Sequence, residues 1–298
     1  MLSRLLRRRA LAITLLVVVL SAGYLLWSSI TARRGAQLVA FTPSVQSCNE
    51  LGRLRYCIYR SAAGTNGDVL YYLHGRNLNE QVWNDSTYLT GMLQAAWQGR
   101  GVKPPVVVAV SYGPVWLLAP KGQQPASGLL EDFISQLPAI EVVAGAPRRR
   151  MLLGESMGGL NVLVAGLSHP ATFSKVAALC PGVYASSPFS SWTTVRADME
   201  RTGADPKIVV GVWLLGRRYV ANEDEWKRFS PLHLVSRAEA SYPALYLSCG
   251  LYDGYGNFEG TQRLASAAAE RGVAVEWQPT YGGHCATDVS SLAKFLTD

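Results

Sequence analysis

Gly154-Glu155-Ser156-Met157-Gly158-Gly159 follows the short apolar run Met151–Leu153 and opens a segment with helical periodicity. No other stretch restricts the chain as much. Glycines two residues before and two after a serine permit a strand-to-helix turn so tight that a side chain at either one would collide with the neighbouring strand or helix. The serine hydroxyl is then held out toward whatever approaches the end of the strand. The bare pentad also arises by chance in chains of this length, so its setting has to carry the inference.

That setting is an alternation of strand and helix. After a tether at Gly35, short extended segments are predicted at Leu38–Phe41 and Leu54–Tyr59, and a stronger buried one at Val69–Leu73. A helical pattern at Leu89–Trp97 follows, then an apolar strand at Val106–Val110, a helix at Leu129–Leu137 ended by Pro138, and the strand Met151–Leu153. Beyond the elbow come a helix at Gly158–Leu167, strands at Val176–Leu179 and Ala244–Ser248, a helix at Phe258–Arg271, a strand at Val273–Gln278 and a closing helix at Asp288–Leu296. Buried-type strands repeated with helices predict an α/β fold with a mostly parallel central sheet covered on both faces. About 55 residues between Pro188 and Tyr242 interrupt the alternation, with Trp192, Trp213, Tyr219 and Trp226 among them. This insertion (188–242) reads either as a helical cap over a site or as helices that complete the core.

The net charge of +7 suggests nucleic acid until it is located. Arg4, Arg7, Arg8, Arg9, Arg33 and Arg34 account for six of it with no acidic residue among the first 34, which leaves +1 for the remainder. No basic stripe survives in the folded part, so no nucleic-acid partner is expected. The hydrophobic content of 49% and charged fraction of 16% suit a globular domain with a sizeable core. Between the two arginine groups, the uncharged segment Ala10–Ala32 is long enough, at about 1.5 Å per residue, to cross a hydrocarbon core of about 30 Å. Residues 1–34 are therefore expected to form a transmembrane helix, and 35–298 a catalytic domain. Arginines ahead of the span favour a cytoplasmic N-terminus, with the domain on the extracytoplasmic (periplasmic) side of a cell membrane and Tyr24 and Trp27 near the far interface. The rival reading is a secretory signal cleaved near Ser21-Ala22-Gly23, and both predict export.

Five cysteines agree with an oxidising compartment and leave at least one unpaired within the chain. Cys48 and Cys57 lie nine apart, in two extended pieces around Asn49-Glu50-Leu51-Gly52, where they are either bridged or two buried thiols. Cys180, Cys249 and Cys285 fall near strand ends or loops. No pair has zinc-site spacing, and neither metal nor organic cofactor is expected.

A serine needs a base to take its proton and an acid to hold that base in one tautomer. Of the four histidines, His284 in Tyr281-Gly282-Gly283-His284 follows the last predicted strand, where a loop would deliver it to the sheet's C-terminal edge. Asp253 lies in a loop at the same edge, after Cys249-Gly250. The order Ser156, Asp253, His284 is that of an α/β-hydrolase triad. His169 precedes Pro170 in a turn and His233 lies inside the insertion, so neither is placed for the role. Asp288, the rival acid, reads as part of the first turn of the closing helix. His74-Gly75-Arg76 ends the strong third strand. The backbone amides of Arg76 and Met157 are the candidate oxyanion donors, with His74 a loop former.

These residues resemble the esterases of the esterase D type, which include S-formylglutathione hydrolases, feruloyl esterases and secreted mycolyltransferases. The likeness covers most of Val69–Leu296. It rests on Leu73-His74-Gly75 with Trp83-Asn84 downstream, Gly154 to Gly159, Ser230-Pro231-Leu232, Asp253 and Gly282-Gly283-His284. It implies an α/β-hydrolase fold, a Ser156–Asp253–His284 triad and an oxyanion hole from Arg76 and Met157. The expected partner is a small-molecule or lipid-like ester, hydrolysed through an acyl-enzyme. Acyl transfer to an alcohol and a non-catalytic anchored binding protein on the same fold remain as alternatives. The anchor is not a general family feature, and 188–242 is too individual to transfer a substrate.

Overall fold

Runs of β-branched and aromatic residues without polar interruption form the middle of the sheet, because a strand covered on both faces has no side to turn to water. In the computed structural model, which describes residues 2–31, 39–115 and 128–298, these runs are β3 (Val69–Leu73), β4 (Val106–Ser111), β5 (Arg150–Glu155), β6 (Lys175–Leu179) and β7 (Ala244–Gly250). With β1 (Val45–Leu51), β2 (Leu54–Arg60) and β8 (Val275–Thr280) they make one eight-stranded sheet in the order β1-β2-β4-β3-β5-β6-β7-β8. β1 and β2 pair antiparallel, as do β2 and β4, and every pairing from β4 through β8 is parallel. All parallel strands therefore end on the same edge. This is the α/β-hydrolase fold.

The two-residue period sorts the core. Tyr71, Val108 and Leu152 point to the face covered by α3 (Leu129–Ala144), α4 (Met157–Ser168) and α9 (Asn257–Glu270). Tyr72, Val107 and Leu153 point to the other, under α2 (Leu89–Gly99) and α10 (Val289–Thr297). There Trp83, within a 3-10 turn at Val82–Asn84, meets Tyr72 edge-on and lies 6.1 Å from Trp97. Between β6 and β7 run α5 (Trp192–Thr202), α6 (Pro206–Tyr219), α7 (Glu223–Phe229) and α8 (Pro231–Val235). Trp226 and Val235 join the core, whereas α5 and α6 bury little of their surface.

The structure departs from the sequence reading at four places. Val39–Phe41 is not a strand; Gly35 and Leu38 lie outside the described residues. Side chains replace ladder bonds just after it, where Gln98 both accepts from the Thr42 N–H and donates to its carbonyl, and Asn84 does the same for Ser44. Strand pairing starts only at Val45. The turn of the first hairpin is Gly52-Arg53, so Asn49 to Leu51 are strand; Gly52 takes φ +59°, which a two-residue turn requires. Pro138 does not end α3. The lost hydrogen bond is outweighed by burial of Ile140 and Ala144 and by Glu141, which accepts from Tyr71 and a two-pronged Arg150. Finally, β8 begins at Val275, because the Val273 amide closes the end of α9 by donating to Ala268.

Cys48 and Cys57 sit opposite each other in the hairpin ladder and are joined by a disulfide. A second disulfide joins Cys180 to Cys285, and Cys249 is a buried free thiol. Residues 1–37 form a separate unit containing α1 (Leu2–Thr31). Its Arg9–Ser28 stretch has a mean hydropathy of 2.3 with none of it buried, long and apolar enough for a membrane span or a signal sequence.

Candidate active site

Ser156 sits between β5 and α4 with φ 54° and ψ −116°, a conformation costly for any residue with a side chain. The flanking chain leaves it no alternative. A Cβ on Gly154 would lie 2.4 Å from the Gly158 carbonyl oxygen, and one on Gly158 would lie 1.8 Å from that of Leu73. As first residue of α4, Met157 has an N–H without an intrahelical acceptor, at the positive end of the helix dipole.

The two other predicted side chains follow the ends of β7 and β8, and His284 links Asp253 to the serine. The Oγ of Ser156 is 2.9 Å from Nε2 of His284, whose Nδ1 is 2.9 Å from Oδ2 of Asp253. Asp253 is 4% exposed and is held by three further bonds: its Oδ1 accepts from the Tyr255 N–H at 2.7 Å, its Oδ2 from the Cys249 thiol of β7 at 3.4 Å, and its own N–H donates to the Gly250 carbonyl. Because Asp253 can only accept when ionised, Nδ1 of His284 carries the proton and Nε2 accepts from the serine hydroxyl. Burial, and then the nearby Asp253 carboxylate, push the Cys249 thiol far above its ordinary range, so it remains a neutral donor. Asp288, by contrast, caps α10 by accepting from Ser290 and Ser291. His169 caps the end of α4 and His233 lies in α8, so neither joins the cluster.

The turn after β3 is held from both sides. The buried Glu155 accepts the Gly75 N–H at 3.0 Å and the Tyr72 hydroxyl at 2.6 Å. His74 lies 2.7 Å from the Gly75 carbonyl through Nδ1 and 2.8 Å from the Ser111 hydroxyl through Nε2. Nδ1 carries a proton in order to donate to that carbonyl, and burial, which pushes the pKa below the usual histidine value, favours the neutral ring with Nε2 accepting from the Ser111 hydroxyl. The Gly75 carbonyl also accepts from Leu78. Since a trans peptide places N–H opposite C=O, fixing this carbonyl inward turns the Arg76 N–H the other way.

Sequence reasoning missed three participants. Glu155 was only the variable residue of the elbow, and its partners lie about 80 residues away. Tyr255 stacks on the His284 ring with centroids 4.1 Å apart. Cys180, whose sulfur is 3.9 Å from Nε2 of His284, ties the histidine's neighbour Cys285 to the end of β6. Cys180, His284 and Cys285 come together as a metal site would require, but with both sulfurs in a disulfide there are no thiolates to bind an ion.

Comparison with solved structures gives the same fold. The chain superposes on an S-formylglutathione hydrolase from Agrobacterium tumefaciens with a TM-score of 0.59 at 17% identity, covering 88% of this chain and 95% of that one. A ferulic acid esterase gives 0.58 at 18% identity (87% and 97% covered). Brefeldin A esterase, a bacterial homologue of human hormone-sensitive lipase, gives 0.62 at 19% identity (93% and 83% covered). No curated protein sequence matches the chain. The Esterase family model matches residues 52–286, a span that takes in the sheet from the first hairpin turn to the histidine loop. The chain therefore belongs to the Esterase family and is a carboxylic ester hydrolase.

Proposed function

We propose that the protein is a membrane-anchored serine esterase that works through an acyl-enzyme on the extracytoplasmic side. Ser156 attacks the ester carbonyl while His284 Nε2 takes its proton, and the Asp253 carboxylate stabilises the imidazolium. The Met157 and Arg76 amides receive the developing oxyanion. The imidazolium then protonates the leaving alcohol, and a water activated by the same imidazole releases the acid. The observation that carries this reading is the continuous relay from Ser156 through His284 to Asp253, with 2.9 Å at each step. The apolar Arg9–Ser28 helix behind a group of arginines supports the anchor.

A fluorophosphonate probe is expected to modify Ser156 in the wild type and to leave Ser156→Ala unmodified. Turnover of p-nitrophenyl acetate should fall on the order of 10⁶-fold in that variant. Esterase activity near the wild-type level in Ser156→Ala would refute the assignment. For the anchor, the full chain should stay in the membrane fraction after alkaline extraction; its release as a soluble protein would mean cleavage.

A further inference from the structure

Asp253 and His284 share a neighbour that takes no proton. Asp253 accepts the N–H of Tyr255, two residues on, through Oδ1 at 2.7 Å, in the local turn that aspartate side chains favour. The next amide, that of Gly256, donates to the Asp253 carbonyl, and the Asp205 N–H, from the link between α5 and α6, donates to the Gly254 carbonyl at 2.8 Å. Gly256 takes φ +73°, and a Cβ there would lie 3.0 Å from both the Ala204 Cβ and the Thr202 Oγ1, so the insertion packs closely against this turn. The backbone of Tyr255 is thereby held by the acid on one side and by the insertion on the other. From that position its ring stacks on the His284 imidazole, with centroids 4.1 Å apart and planes 27° from parallel.

That stacking has two effects on the base. The bonds of His284 to Asp253 and to Ser156 are both made at the edge of the imidazole. They set its distance from each partner but oppose tilting about the line between them only weakly, whereas a flat ring against one face blocks the tilt. The second effect concerns charge. The imidazole is neutral at rest and becomes an imidazolium each time it takes a proton, first from the serine and then from water. The face of an aromatic ring carries partial negative charge and attracts a cation more than it does a neutral ring. Asp253 supplies that preference at the edge of the imidazole, and Tyr255 supplies it at the face. We propose that Tyr255 is a positioning residue of the triad, holding the His284 ring in the plane of the relay and favouring the imidazolium as the proton crosses. The assignment rests on the triad mechanism proposed above.

The test uses the full chain with two acetates of unlike alcohols, p-nitrophenyl acetate and ethyl acetate. Tyr255→Phe keeps both the aromatic face and the backbone N–H, and its kcat should stay within about twofold of wild type. Tyr255→Leu keeps the N–H and apolar bulk but loses the face. Its kcat should fall about 5- to 30-fold on both acetates, with KM within about twofold, because acylation and deacylation pass through the same imidazolium. The rate constant for fluorophosphonate labelling of Ser156 should fall with it. An unchanged kcat in Tyr255→Leu overturns the proposal, and so does an equal loss in Tyr255→Phe, which would make the hydroxyl the working group. A loss carried by KM, or confined to one acetate, also overturns it, since the ring would then be touching substrate. Should Tyr255→Leu melt well below wild type, Tyr255→Met, whose flexible side chain fills irregular space, is held to the same expectations. Ser156→Ala separates this proposal from the reading beneath it. If that variant is as active as wild type, the triad mechanism fails and Tyr255 loses its role with it; if it is inactive while Tyr255→Leu is not impaired, the positioning role alone fails.

Discussion

Glu155 shows how a residue that takes no part in the chemistry can still govern it. Burial raises the pKa of its carboxyl, against the pull of hydrogen bonds from Tyr72 and Gly75, so the neutral acid is favoured beyond the normal glutamate range. Its task is to present an oxygen to the Gly75 N–H, and an amide can do that equally well. Glu155→Gln is therefore expected to keep kcat/KM within about threefold. Glu155→Ala leaves the Gly75 and Tyr72 donors unpaired and frees the turn that carries the Arg76 amide, the proposed oxyanion donor. Its kcat should drop on the order of 10²-fold with KM nearly unchanged, the effect of losing one oxyanion donor. Steady-state kinetics on a short acetate ester separates the two variants; an equal loss in both would show that charge and not position matters at Glu155.

At the scale of elements, what the sequence discloses depends on whether the deciding contact is local. The parallel strands are visible as apolar runs, and the elbow as paired glycines, because each is dictated by neighbours within a few residues. Ser156, Asp253 and His284 could be proposed from chain order alone, since each follows a strand that ends on the same edge. Pro138 misleads because the hydrogen bonds that help carry α3 past it come to Glu141 from Tyr71 and Arg150, on two separate strands. The Cys180–Cys285 bridge left no local trace either, being closed across 105 residues. Chain entropy alone would make a bridge over such a loop worth about 4.7 kcal/mol, and bridges typically deliver about 2–4 kcal/mol. The double variant Cys180→Ala/Cys285→Ala should lose that much stability in urea titrations. Its kcat should also fall about tenfold, because the loop carrying His284 is no longer tied to β6. Full activity with lowered stability would limit the bridge to a structural role.

For the molecule as a whole, acid sensitivity should begin at the end of the sheet opposite the site. Asp68 is fully buried where β3 starts; burial works to raise its pKa, but hydrogen bonds from Arg149 and Arg148 outweigh it and the net shift is downward. A carboxyl lowered on folding contributes stability above its unfolded pKa of about 3.9 and loses it as pH falls through the folded value. Asp68→Asn should accordingly cost about 1–3 kcal/mol at pH 7, with the gap to wild type narrowing below about pH 4 in denaturant titrations. A gap independent of pH would assign the loss to packing. Global stability should also respond to the left-handed backbone at Ser156. Glycine tolerates that conformation, so Ser156→Gly is expected to melt about 2 °C higher than wild type, and Ser156→Ala not to. A descendant no longer selected for turnover would then have a stabilising substitution open to it at the nucleophile itself. Retention of serine there across diverged copies of this protein would be a sign that the reaction is still under selection.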